Sequence, residues 1–95
     1  MPWTVKVETE RGQLVDNDFG VEFDEIPSGP EYPICSSVAR YYVTLLNPPQ
    51  LETFVSEWDR AITTPEFARL KNSKFIRDVA ERCASEHLYL KFIGD

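Results

Sequence analysis

The chain has 95 residues and a formal net charge of −6 at pH 7, enough for one domain and too short for two independent cores. With 42% hydrophobic, 13% aromatic and 27% charged residues, it falls in the globular range and outside the apolar-poor composition of disordered chains. The acidic balance argues against direct nucleic-acid binding, which needs clustered Lys and Arg against phosphates, and a chain this small buries too little surface to spare a large internal cavity for catalysis.

The first predicted element is a strand. Trp3, Val5 and Val7 alternate with Thr4, Lys6 and Glu8, the period-two pattern of a half-buried sheet. Phe19 to Ile26 repeats the alternation, with Val21 and Phe23 on one face and Glu22 and Asp24 on the other. Arg11-Gly12 and Asp16-Asn17-Asp18 between them are turn formers, so the two segments read as an antiparallel hairpin or short meander. Pro27 to Pro33 carries three prolines and reads as an ordered surface connection, excluded from helix interiors and central strands.

Ser36 to Leu46 admits two readings. As a helix it places Val38, Tyr41, Tyr42, Leu45 and Leu46 on one face with Ser36 or Ser37 as N-cap, and this is the favoured reading; as a strand, the same residues supply β-branched and aromatic side chains. The next helix is the best marked. Asn47 is its cap and Pro48 its first turn, with Leu51, Phe54, Val55, Trp58, Ala61 and Ile62 as its apolar stripe and Glu52, Ser56, Glu57, Asp59 and Arg60 as its outer face.

Thr63-Thr64-Pro65-Glu66 repeats the cap-proline signature and predicts a further helix through Phe67, Ala68 and Leu70, broken or recapped at Asn72-Ser73. From Lys74 a stripe of Phe75, Ile76, Val79, Ala80 and Cys83 continues, and Leu88 to Ile93 predicts a final strand joining the N-terminal hairpin. The expectation is a single α+β domain over residues 1–95, in the order β-β-α-α-α-β, with a small antiparallel sheet covered on one face by about three helices.

Charge is unevenly spread along this order. Residues 1–35 hold eight acids (Glu8, Glu10, Asp16, Asp18, Glu22, Asp24, Glu25 and Glu31) against Lys6 and Arg11, whereas residues 36–95 hold eight of each sign. Glu8 and Glu10 on one strand with Glu22 and Asp24 on the other form a carboxylate stripe if the acids face out, extended by Asp16, Asp18 and Glu25. Like charges across strands repel, and a basic partner relieves that cost. These seven acids are the candidate partner-binding residues of an acidic inhibitor or accessory protein, steered electrostatically to a basic, nucleic-acid-handling protein whose phosphate ligand the stripe imitates. The bland alternative is a solvated face that keeps the sheet edge from pairing. Arg69, Lys71, Lys74, Arg77 and Arg82 are interleaved with acids and read as solvated helix faces.

The remaining candidates for chemistry are thin. Asp16 to Gly20 alternates oxygen ligands, but its glycine stands at position five and Pro27 at position twelve, against the calcium-loop pattern of glycine at six and glutamate at twelve. Cys83 and His87, four apart, would share a face of a sufficiently long last helix, with Cys35 as a third ligand; this is the basis of an alternative, a small metal- or thiol-dependent module. Burial of both cysteines as reduced thiols is the favoured reading. No nucleophile elbow or phosphate-binding glycine loop occurs, so no enzyme activity, cofactor or metal is expected. A further alternative is a homo-oligomeric structural protein using exposed aromatic surface. The first residues lack the basic region and apolar run of a secretory signal, and the longest nonpolar stretch is far short of the roughly 20 residues of a membrane span, so a cytoplasmic location without membrane contact is expected.

Overall fold

A computed structural model describes residues 3–15, 19–23, 26–38, 42–70 and 72–94, with backbone alone at residues 3 and 19–23. The elements are β1 (Trp3–Glu8), β2 (Phe19–Phe23), α1 (Pro33–Ser36), β3 (Val43–Leu46), α2 (Pro48–Ala61), α3 (Ser73–Ser85) and β4 (Tyr89–Ile93). The strands form one antiparallel sheet in the order β2-β1-β4-β3. The expected α+β architecture holds, with a sheet from both ends of the chain and helices over one face. The turn expected at Asp16-Asn17-Asp18 lies outside the described residues.

Pleating decides which side chains meet the helices. Val5 and Val7 of β1, Leu90 and Phe92 of β4 and Leu46 of β3 are buried against Leu51, Phe54, Trp58 and Ala61 of α2 and Ile76, Val79, Ala80 and Cys83 of α3. Phe54 is at the centre, with its ring 5.4 Å from that of Trp58 and 5.5 Å from that of Phe92. The opposite face of the sheet carries Thr4, Lys6, Glu8, Tyr89, Lys91, Ile93, Val43 and Leu45 by alternation.

Local chemistry accounts for the helix ends. Asn47 has the extended backbone that a residue before proline favours, and a capping box forms: its side chain accepts from Gln50 N–H while Gln50 Oε1 accepts from Asn47 N–H, both at 2.9 Å. At the far end, Thr63 and Thr64 hydroxyls donate to the Arg60 and Ala61 carbonyls. The buried Trp58 indole donates to Ser73 Oγ at 2.8 Å, tying α2 to the start of α3.

Four expectations need correction. The favoured helix over Ser36 to Leu46 does not form: α1 stops at Ser36, and Val43–Leu46 is a strand, because pairing with β4 satisfies its backbone and buries Leu46. Tyr42 and Leu45, expected in the core, are consequently exposed. Residues 39–41, including Tyr41, lie outside the description.

The helix expected from Pro65 through Leu70 is a run of turns. Thr63 and Thr64 turn their hydroxyls back to the last carbonyls of α2 instead of capping a new helix. Phe67 is instead buried edge-on to Tyr32, their centroids 6.0 Å apart. Phe75 stands at the flank of the α3 stripe and is 39% exposed. Finally, the proline-rich connection is more than surface, since Ile26, Pro27 and Tyr32 within it are buried.

Candidate functional site

The acidic stripe is altered most at its first member. Glu8 lies by parity on the open face of the sheet, yet it is only 6% exposed, and its Oε2 accepts from Lys91 Nζ of β4 at 3.0 Å. Chain folded back after β1 contributes to its surroundings. Thr9 N–H donates to Gln13 C=O, Val15 N–H to Val7 C=O, and Leu14 bridges to Glu8 itself. Glu8 is therefore a neutralised, structural carboxylate instead of an outward docking charge. Glu10 is exposed at the turn that Gly12 completes with φ of 80°.

Glu22 belongs to β2, which is an edge of the sheet, but its side chain lies outside the description, as do Asp16, Asp18, Asp24 and Glu25. The register Trp3 to Phe23 and Val5 to Phe19 contains an irregularity between Trp3 and Val5. Glu8 and Glu22 thus belong to β1 and β2, on the opposite side of the sheet from the β3 edge.

Charges on the helices are matched locally. Arg77 makes a two-pronged contact with Asp59, Nε to Oδ1 and Nη2 to Oδ2 each at 3.0 Å, and also bonds Glu81. The hydrogen bonding that Arg77 donates to Asp59 raises the guanidinium above its ordinary pKa. Lys74 pairs with Asp78, and Arg82 with Glu86. Surface depressions lie at the start of α3, beside Asp59, Lys74, Arg77 and Asp78, and between α2 and α3, beside Glu52 and Glu81. Cysteine and histidine are absent from both linings.

Glu57, expected on the outer face of α2, is 1% exposed. Its Oε2 accepts from Ile34 N–H at 3.1 Å and its Oε1 from Cys35 N–H at 2.9 Å. A buried carboxylate must find donors, and these are amides at the start of α1 that lack a helical partner. One turn along, Arg60 Nη2 donates to the Glu31 carbonyl at 3.0 Å and its guanidinium sits 5.8 Å from the Tyr32 ring centroid. Together the two side chains hold the proline-rich connection on α2. Periodicity in the sequence places Glu57 beside buried Trp58 but cannot reveal that a separate segment will cover it.

Cys83 and His87 do not form a shared face. The helix ends at Ser85, and His87 has φ of 58°. Leu88 N–H bonds back to Cys83 C=O at 2.9 Å, the closing bond of a Schellman-type helix end with His87 where glycine is usual. Cys83 is fully buried while His87 is exposed. Cys35 is also buried and unbridged; burial and then the neighbouring Glu57 carboxylate push its thiol well above the ordinary range. Among the described residues no group of three or more His, Cys, Asp or Glu is arranged to hold a metal ion, and no helix is long and apolar enough to cross a membrane. Comparison with protein-family models, curated proteins and solved structures found no match, so the functional reading rests on geometry and charge alone.

Proposed function

We propose that this chain is a non-catalytic interaction module, of the inhibitor or accessory kind, that docks a basic protein through its acidic N-terminal strands. The observation that carries this reading is the contrast in charge balance along the chain. Lys74, Arg77 and Arg82 of α3 each face carboxylates of the helical layer, whereas the first 35 residues hold eight acids against two bases. Among the described residues Lys91 is paired with Glu8. The working acids are then Glu10, Asp16, Asp18, Glu22, Asp24 and Glu25, and a basic surface evolved to hold phosphates is the natural complement to them.

The test is capture from source-cell extract at low and high salt, using wild type beside a Glu10→Lys, Glu22→Lys, Asp24→Lys triple variant. Glu8 is left in place because reversing it would set two cations together inside the sheet. A basic protein held by wild type at low salt, released by salt and lost by the folded variant is expected. Capture of the same proteins by both baits, or of none by either, overturns the reading.

A further inference from the structure

The two edges of the sheet differ in charge and in protection. The β2 edge contains Glu22, with Asp18, Asp24 and Glu25 next to it in sequence. Two copies pairing there would place like charges across strands, at a cost of up to about 1 kcal/mol for each directly opposed pair. The β3 edge, Val43–Leu46, contains no charged residue. Val43–Leu46 also lacks a lysine or proline and its register with β4 is regular, so among the described residues its shortness, four residues, is the one feature that blunts this edge. Val43 is 57% exposed, Leu45 47% and the preceding Tyr42 73%.

Backbone direction follows from one bond. Gly94 N–H donates to Tyr42 C=O at 3.0 Å, one step beyond the Val43 to Ile93 pair. Antiparallel alternation then turns the backbone groups of Tyr42, Thr44 and Leu46 toward β4 and those of Val43 and Leu45 toward the open edge.

We propose that two copies of this chain join edge to edge through β3, antiparallel about a two-fold axis at Thr44, into one continuous sheet. In this register Val43 exchanges backbone hydrogen bonds with Leu45 of the second copy, and Thr44 stands opposite its own symmetry mate. Val43 and Leu45 of the two copies also form one apolar cluster across the axis on the open face.

Charge favours a second copy as the occupant. The edge has no acid to attract a basic partner, and the acidic strands are furthest from the axis. The two β2 strands would be seven strand spacings apart, roughly 34 Å, well beyond a Debye length of about 8 Å at physiological salt. The excess charge that opposes self-association elsewhere is therefore screened here, and salt does not dissolve the pair.

Sedimentation equilibrium of the whole chain, from micromolar to millimolar at low and high salt, reads the association. Wild type is expected to show a reversible monomer–dimer equilibrium that high salt leaves intact or strengthens. Leu45→Pro removes one outward N–H while sparing the β4 ladder, and Leu45→Lys adds a cation on each side of the axis; each is expected to weaken the dimer about tenfold or more while circular dichroism stays native. Under mild oxidation Thr44→Cys should cross-link to its own mate, because a non-hydrogen-bonded pair brings Cβ atoms within disulfide range, and Val43→Cys should not. A wild type that stays monomeric throughout, Leu45 variants that dimerise like wild type, or cross-linking as ready at Val43 as at Thr44 would each overturn the proposal. A monomer that instead takes up an unrelated extended peptide along β3 would assign the edge to a foreign strand.

Discussion

At position 57 a carboxylate without an intrahelical task holds two amides of another segment. Replacing Glu57 by Ala strips the buried Cys35 N–H and the partly buried Ile34 N–H of their acceptor, and a loss of about 2–4 kcal/mol is expected from urea denaturation. Gln keeps one carbonyl oxygen and should lose distinctly less. If Glu57→Ala changes stability by under about 0.5 kcal/mol, the clamp on α1 is not formed in solution.

Beside it, Cys35 makes a prediction in pH. Its thiol is pushed upward in the folded chain, by burial first and by Glu57 second. In the unfolded chain a thiol loses its proton near pH 8.5. Its contribution to stability is therefore complete below that pH and is lost as pH rises above it, by up to about 1.4 kcal/mol per unit while only the unfolded chain releases the proton. The wild-type stability slope between neutral pH and about pH 10 should be steeper than that of Cys35→Ala; equal slopes would show that the folded thiol titrates normally. Neither the acceptor role of Glu57 nor the burial of Cys35 against it is legible locally, because both depend on chain 22 residues away.

Among the elements, α2 was the most legible. Its cap, proline and stripe are all local signals, and the capping box adds only Gln50. β3 was misread because five apolar and aromatic residues over eleven positions satisfy a helical face as well as a strand, and the deciding interaction is a pairing with β4, more than forty residues later. The end of α3 shows a different limit of local pattern. Spacing alone allowed Cys83 and His87 to face together, but the helix closes at Ser85 and His87 takes the left-handed conformation. Outside glycine that conformation costs about 1 kcal/mol, so His87→Gly should stabilise the protein by about 0.5–1 kcal/mol in thermal or urea unfolding. A loss of stability would mean that the imidazole holds a partner.

Across the whole molecule, one ion pair ties the first strand to the last. Glu8 and Lys91 are 83 positions apart, with side-chain exposures of 8% and 31%. Removing only the cation leaves a carboxylate in a nearly closed site, so Lys91→Met is expected to cost about 1–3 kcal/mol. A Lys91→Met, Glu8→Gln double variant should recover much of that loss in a double-mutant cycle; additive losses would show that the two charges do not meet. The same pair changes the acidic surface, since it withdraws one of the expected docking charges.

Composition, alternation in β1 and β4, and the stripe and caps of α2 were sufficient for an acidic α+β domain with its two ends in one sheet, because each is a property of neighbours along the chain. Tertiary structure decided that Val43–Leu46 is an edge strand, that Glu8 and Glu57 are buried acceptors, and that Cys83 and His87 part company. The physical reason is common to these cases: strand pairing, donors for a buried carboxylate and the path beyond a helix end are set by segments distant in sequence, whose arrival no local pattern records.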